Sequence, residues 1–431
     1  MKSFVPALVE APVDRAPDRL RVAVLVDLLL TGEAGGHVKC WERLGHAALN
    51  FPDLLDLTVY FIGAERELRV IGENVRYVLE PPVLSTRRLP FLAHVPDHTD
   101  LAPIHPRLAR LLRHYDVIHT TDAYFAYART AERVAARRRV PLVTSVHTNT
   151  PNYARIYAKE TVERVFGKGR LTRLILDRFG FARYAEQRML RRRARHERAC
   201  AAVLVSRPEE LAMIAEPQRS AGLLRRGIDC SFYHPMKRDR AWLRRRFGIP
   251  GDAFIVLFAG RISRGKNVML LADAMDDLVA RGRPVHLVCA GEGPQREAIA
   301  ERLGAHASLP GNLPPEILSR VYASADLFAF PSPVEECANV VLEALASGLP
   351  VLVARQGGME RFLADGETGL VLPNENATAW AGAIAELAGD GERHFAMAHA
   401  ARRYAERRLP SWNAVLAEDL LPRWQMAATG R

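Results

Sequence analysis

PSPVEECANVVLEALASGLP, residues 331–350, is the stretch that decides the fold. An apolar run, ADLFAFPS (325–332), ends where it begins; a polar loop follows, and then apolar residues recur at helical spacing through VVLEALA. A buried strand, a loop and a helix in that order form the repeating unit of a parallel α/β sheet. Two carboxylates, Glu335 and Glu343, stand with seven residues between them, the first in the loop and the second about one turn into the helix. The unpaired N–H groups and positive dipole end of a helix attract an anion at that junction. Carboxylates beside it can accept hydrogen bonds from hydroxyls on whatever carries the anion. The pattern suits a ligand that is at once a phosphate and a polyol, as a nucleotide sugar is.

Outward from this stretch the same alternation recurs in two series. RVAVLVDLLL (21–30), LTVYFIG (57–63), DVIHT (116–120), PLVTSVHT (141–148) and CAAVLVS (200–206) read as buried strands of a first series. FIVLFAGR (254–261), PVHLVCAGEG (284–293), ADLFAFPS and PVLVARQGG (350–358) read as a second, with helical spacing between, for example over 267–282. The chain is therefore expected to be α/β, with two doubly wound Rossmann-like domains facing a cleft and ligands beyond the carboxyl ends of the strands. The expected divisions are a disordered tail over 1–20, an acceptor-side domain over 21–215 and a linker over 216–236. A nucleotide-sugar-binding domain over 237–405 follows, then a C-terminal helix over 406–431 packing back on the first domain.

A chain of 431 residues is long enough for two cores, and 48% hydrophobic with 25% charged residues is an ordinary globular balance. No apolar run approaches the roughly 18 residues of a membrane span. The N-terminus carries prolines and charges and no secretory core. Five scattered cysteines without a C-x-x-C pair argue against a disulfide framework or zinc site and fit a reducing cytoplasm. The net charge of +11 favours anionic partners. No nucleic-acid-reading motif or stacking platform is present, so nucleic acid is not expected among them.

The segment that begins at Lys168 and ends at Arg198 departs from the alternation, with eleven Lys and Arg against three acids. Leu171, Leu174, Ile175, Phe179 and Ala182 are interleaved at near-helical spacing, and Gly180 interrupts it. Two readings compete: a basic amphipathic helix lying on an anionic membrane, or a surface helix packing one apolar stripe on the first domain.

FAGRISRGKN (258–267) ends a strand in Ala-Gly and places two cations, Arg261 and Lys266, five residues apart. Two readings are open for them: fixed cations that stabilise charge growing on a leaving diphosphate, or the cations that strand ends commonly carry. CAGEGP (289–294) ends the next strand in glycines that permit either a close approach to a ligand or simply a tight turn. In order, FAGRISRGKN, CAGEGP, the stretch 322–358 and DGETGLVLP (365–373) resemble the C-terminal domain of the family 4 glycosyltransferases, a retaining family with the GT-B fold. RVAVLVD with GGHV (35–38), DVIHTTD (116–122), VTSVHTNTP (143–151) and RRGIDCSFYHP (225–235) resemble its N-terminal and interdomain motifs more loosely.

The resemblance implies a role for each matching residue. Arg261 and Lys266 match the pair that holds the donor diphosphate, Glu335 the carboxylate that contacts the transferred sugar, and Glu343 the one that holds the ribose. Backbone at Asn339 and Val340 meets the phosphates. Gly35 and Gly36 match the glycine loop that approaches donor and acceptor, and His147 the active-site histidine. Glu335, Arg261, Lys266 and His147 are thus the implied catalytic set. Glu336, Cys337 and Ala338 stand where the family has a glycine-rich loop, and Arg361 where it has Glu, which leaves the donor sugar open. Asn149, Asn152, Tyr153 and Arg155 are acceptor-side candidates, with loop packing as the competing account. The expected function is a cytoplasmic hexosyltransferase of glycan or glycolipid synthesis. It moves a hexose-type unit with retention from a nucleoside diphosphate sugar to a hydroxyl acceptor, without metal or other cofactor. The alternatives are a GT-B phosphorylase or nucleotide-sugar epimerase, and a non-catalytic basic protein binding membrane or nucleic acid.

Overall fold

The apolar runs form parallel strands because they are buried on both faces, so hydrophobic residues follow one another without alternation. The computed structural model describes residues 19–31, 35–88, 99–147, 150–167, 169–214, 220–333 and 339–430. Glu335 and Asn149 lie outside the described residues, as do the side chain of Tyr153 and residues 1–18 of the expected tail. The chain divides into two compact units, one reaching Arg225 and resuming at Asn413, the other spanning Arg226–Trp412.

The first unit holds β1 (Leu20–Leu29), β2 (Leu55–Ile62), β3 (Glu67–Val70), β4 (Val75–Glu80), β5 (Val117–Thr120), β6 (Leu142–Val146), β7 (Ala202–Val205) and β8 (Ser220–Leu223). Their order is β3-β4-β2-β1-β5-β6-β7-β8, and every pair is parallel except β3 with β4. β3 is short and wholly exposed, with Arg69 bonded to Glu67; charge on so short an edge discourages pairing with another chain. The reading of 216–236 as a linker is corrected by β8, which pairs with β7 from Ala202↔Ser220 to Val205↔Leu223 and carries the first unit past residue 215. The C-terminal segment is built into the same unit. The guanidinium of Arg225 donates to Asp419 at 2.7 Å and to Glu418 at 2.6 Å.

The second unit holds β9 (Phe254–Ala259), β10 (Val285–Ala290), β11 (Ala307–Gly311), β12 (Leu327–Phe330), β13 (Val351–Ala354) and β14 (Gly369–Leu372). All are parallel, in the order β11-β10-β9-β12-β13-β14. From β9 the chain moves outward through β10 and β11, then returns to the other side of β9 and moves outward through β12, β13 and β14. The strand order therefore reverses between β9 and β12, and ligands bind at the carboxyl ends of strands beside such a reversal. Phe258, Phe328 and Phe330 stack across these two strands, with centroids 6.0 and 6.1 Å apart. Fully buried, each contributes about 2–3 kcal/mol to the core beneath the crevice. The first sheet reverses in the same way between β1 and β5.

Candidate active site

In the second unit the loop after β9 carries the two cations. Gly260 leaves the strand at φ 142°, Arg261 is exposed, and a short turn over Arg264–Lys266 leads to Asn267. Asn267 has a left-handed backbone (φ 53°) and donates its amide to the carbonyl of Asn374 at 2.9 Å, which fixes where the helix Val268–Ala280 begins. The ammonium of Lys266 lies 5.8 Å from the ring centroid of Phe330, the last residue of β12. The cation loop thus reaches the other strand of the reversal.

The glycines of CAGEGP approach protein rather than open space. Gly260 N–H donates to Ala290 and Ile262 N–H to Glu292, at 2.9 and 2.8 Å, lacing the loops after β9 and β10 together. Gly293, at φ 157°, lies where a Cβ would stand 2.2 Å from the carbonyl oxygen of Ile262. A Cβ on Gly291 would stand 2.0 Å from that of Gly260. These close approaches hold the cation loop in place.

After β12 comes the helix Asn339–Ala346, with no acid in its first turn. Asn339 is buried, and its Oδ1 has no hydrogen-bond partner among the described residues. Glu343 is buried in the same helix. The loop after β13 presses on the end of this crevice, since a Cβ on Gly357 would stand 2.5 Å from the carbonyl oxygen of Ser332. Glu360 accepts from Gly358 N–H at 2.8 Å and so closes its own loop, while Arg361 covers the ring of Phe362 at 4.7 Å. Arg261, Lys266, Asn339, Val340 and Glu343 therefore all sit at the carboxyl ends of β9 and β12.

In the first unit, Gly35, which has no side chain to cap with, precedes the helix Gly36–Ala48, and no acid stands in the helix's first turn. No described atom lies within 4 Å of where a Cβ of Gly35 would stand. The ring of His37 stacks on His147 at 4.3 Å between centroids. One turn on, the indole N–H of Trp41 donates to Nε2 of His147 at 3.3 Å, and Ser145 Oγ lies 2.8 Å from the same nitrogen. Ser145 Oγ also meets Nε2 of His119 at 2.7 Å, and the Trp424 indole donates to Nδ1 of His119 at 2.9 Å. Burial pushes the His119 imidazole down to about 3, so it is neutral. Gly35, Gly36 and His147 belong to this constellation. His37, Trp41, Ser145 and His119 were not singled out in the sequence, although 37 and 41 share a helix face and 145 and 147 a strand face.

Two acceptor-side candidates bond to each other. Arg155 donates to Asn152 at 2.9 Å on the helix Thr150–Phe166 and pairs with Glu186 of the helix Phe181–Ala199 at 3.6 Å. The basic segment breaks at Gly180 (φ 59°). Leu171 and Phe179 are 50% and 71% exposed, and Leu174 is exposed too, so the apolar stripe is not packed away. Among the described residues no helix is long and apolar enough to cross a membrane. Nor are any three His, Cys, Asp or Glu among them grouped to hold a metal ion.

Residues 239–406 match the family described as glycosyl transferases group 1. A D-inositol 3-phosphate glycosyltransferase of Corynebacterium urealyticum is 36% identical over 194 residues, which cover 42% of this chain and 46% of that one. The chain spans about half the length of that relative and of others like it. A protein of the same name from Nocardia farcinica is 29% identical over 94% of this chain and 91% of its own. The solved sucrose-phosphate synthase of Thermosynechococcus elongatus aligns with 95% of this chain and 100% of its own, at TM-score 0.69 and 19% identity. The fold is accordingly GT-B.

Proposed function

We propose that this member of the group 1 glycosyl transferases moves a hexose-type unit from a nucleoside diphosphate sugar to a hydroxyl of a phosphorylated cyclitol, with retention and without a metal. The observation that carries the reading is the placement of Arg261, Lys266 and the start of the helix Asn339–Ala346 at one strand reversal. Two cations and a helix dipole gathered there suit a diphosphate. The names of the relatives support the acceptor class.

In this reading the bond from the sugar's anomeric carbon to the β-phosphate oxygen breaks while the acceptor oxygen bonds to that carbon on the same face. The acceptor's proton passes to the leaving phosphate. Arg261 and Lys266 meet charge that is larger in the transition state than in the bound donor, so they lower the barrier rather than only tightening binding. Glu343 receives the ribose hydroxyls, Glu335 the hydroxyls of the transferred sugar, and Asn339 and Val340 offer backbone N–H groups to phosphate. His147 contacts the sugar or the phosphate acceptor.

The test is product analysis with UDP-, GDP- and ADP-sugars against D-inositol 3-phosphate and free inositol, each with and without EDTA. Transfer to the phosphorylated cyclitol, unchanged by EDTA and with the anomeric configuration kept, is expected. Epimerisation without an acceptor, inversion, or complete loss with EDTA would refute the corresponding part.

A second reading concerns location: the enzyme works at an anionic membrane surface. The exposed side chains of Phe166, Leu171, Phe179 and Tyr184 stand among Arg170, Arg173, Arg178 and Arg183. Apolar side chains among arginines suit a headgroup–acyl boundary. Flotation with phosphatidylglycerol vesicles and not with phosphatidylcholine vesicles is the expected result, and equal recovery without lipid would remove the reading.

A further inference from the structure

A cavity of about 370 Å³ opens in the second unit at the other end of its sheet from Arg261 and Lys266. Its walls include Phe254, which opens β9, Val285, which opens β10, and Asp326, which stands just before β12. β9 is six residues long, so about 17 Å of strand separates the cavity from the loop that carries those two cations. Ligands of a doubly wound sheet sit beyond the carboxyl ends of its strands, so this amino-end cavity is not part of that crevice.

Three arginines, Arg238, Arg240 and Arg283, line it. The buried carboxylate of Asp326 is already fully engaged. One oxygen accepts from Ile255 N–H at 2.9 Å, which ties the start of β12 to β9. The other meets Arg240 and, at 3.6 Å, Arg238. One guanidinium is enough to neutralise that carboxylate, yet two share a single oxygen of it. Arg283 is exposed and forms no ion pair or side-chain hydrogen bond among the described residues. Asp252, the remaining acid of the lining, is exposed in the turn before β9. Behind the wall Arg244 donates to the carbonyl of Ala253 at 3.4 Å and brings one more positive charge. His394 completes the wall, its Nε2–H donating to the backbone carbonyl of Asp326 at 2.7 Å. Burial, then Arg238 and Arg240, hold this imidazole below its ordinary value, as a local excess of cations requires.

We propose that this cavity is a second ligand site, which takes a soluble phosphate monoester whose phosphate is held by Arg238 and Arg283 while Arg240 stays on Asp326. Guanidinium forks match phosphate oxygens, and the cavity is at the small end of ligand-site volumes, which suits a small metabolite rather than a nucleotide sugar. None of its wall residues is an exposed large apolar side chain, so acyl chains find nothing to enter and the phosphate is not that of a lipid. The bound phosphate would join the start of β10, through Arg283, to the start of β12, through Arg238 and Asp326.

The test is NMR of the full chain labelled at histidine, the His394 signals being those absent from His394→Asn. Inorganic phosphate is the probe, titrated against chloride at constant ionic strength. A saturable shift of the His394 ring signals is expected, together with a rise of its protonation midpoint, since a neighbouring anion favours the imidazolium. Arg283→Ala and Arg238→Ala should each weaken the phosphate affinity about tenfold or more, the worth of one charge-assisted hydrogen bond. Both side chains are exposed at least in part and both variants leave Arg240 on Asp326, so the fold is kept. Lys266→Ala should leave the titration unchanged. A shift that does not saturate, or that chloride matches, would mean screening alone and overturn the site. Phosphate affinity lost in Lys266→Ala, or kept in both arginine variants, would overturn it as well. Flotation with phosphatidic acid vesicles that Arg283→Ala abolishes would assign the phosphate to a lipid and refute the soluble ligand.

Discussion

His119 gives the first unit an acid-sensitive centre whose size follows from its burial. An unfolded histidine takes up its proton near 6.5, whereas burial holds the folded His119 down to about 3. Between those values the unfolded state binds more protons, so the stability that neutral His119 allows is whole above about pH 6.5 and is lost as pH falls. The slope approaches about 1.4 kcal/mol per pH unit, which makes the loss between pH 7 and pH 5 about 2 kcal/mol. His286, lowered to about 4 by burial and then by His306, and His394, lowered by burial, act in the same window and the same sense, whereas two other buried groups do not. Burial and the neighbouring Asp122 raise Asp27 well above the usual carboxylate range, and its effect runs opposite. For His196, burial works against protonation, but Cys200 and Glu132 carry it up to about 10, so its contribution is whole below pH 6.5 and is lost only towards 10. The comparison that isolates His119 is therefore wild type against His119→Asn, by urea unfolding at pH 7, 6 and 5. The variant should be less stable at pH 7, and the gap should close by about 2 kcal/mol at pH 5. Parallel losses in the two proteins, within a few tenths of a kcal/mol, would refute the buried neutral imidazole.

Lys266→Ala and Arg261→Ala should each lower kcat roughly tenfold to a hundredfold with the circular dichroism spectrum unchanged, as expected for a charge-assisted contact made in the transition state; near-wild-type turnover would remove the diphosphate assignment. Glu343→Gln should weaken nucleotide binding more than it lowers kcat, read as a smaller thermal shift with the nucleoside diphosphate. Gly293→Ala should destabilise the second unit by at least about 1–3 kcal/mol, because it forces both a disfavoured backbone region and a clash with Ile262. Calorimetry would show that shift, and an unchanged transition would mean the loops are not laced together.

What the sequence made legible was local. β1, β2, β9 and β10 announce themselves because strands buried on both faces need unbroken apolar runs. β3 and β8 are only four residues long and half-buried or exposed, so nothing in their composition separates them from loops. Arg261, Lys266 and Glu343 were legible for the same local reason, since each follows a strand end within one loop or one helical turn. The hydrogen bond from Trp424 to His119 spans 305 residues, and neither residue's surroundings in the chain contain any trace of the other. The glycines of CAGEGP stand between these cases. A glycine where a strand ends says that something comes too close for a Cβ, and that much was readable at Gly291 and Gly293. What comes close is the carbonyl of Gly260 or Ile262, contributed by the neighbouring strand through the order of the sheet. The demand for space is thus written at one position and its cause at another, and the two are joined only when β9 and β10 pair. The same pairing that uses up these glycines sterically is what fixes Arg261 and Lys266 beside β12. The placement of Arg261 and Lys266 therefore depends on Gly291 and Gly293 through the backbone they admit.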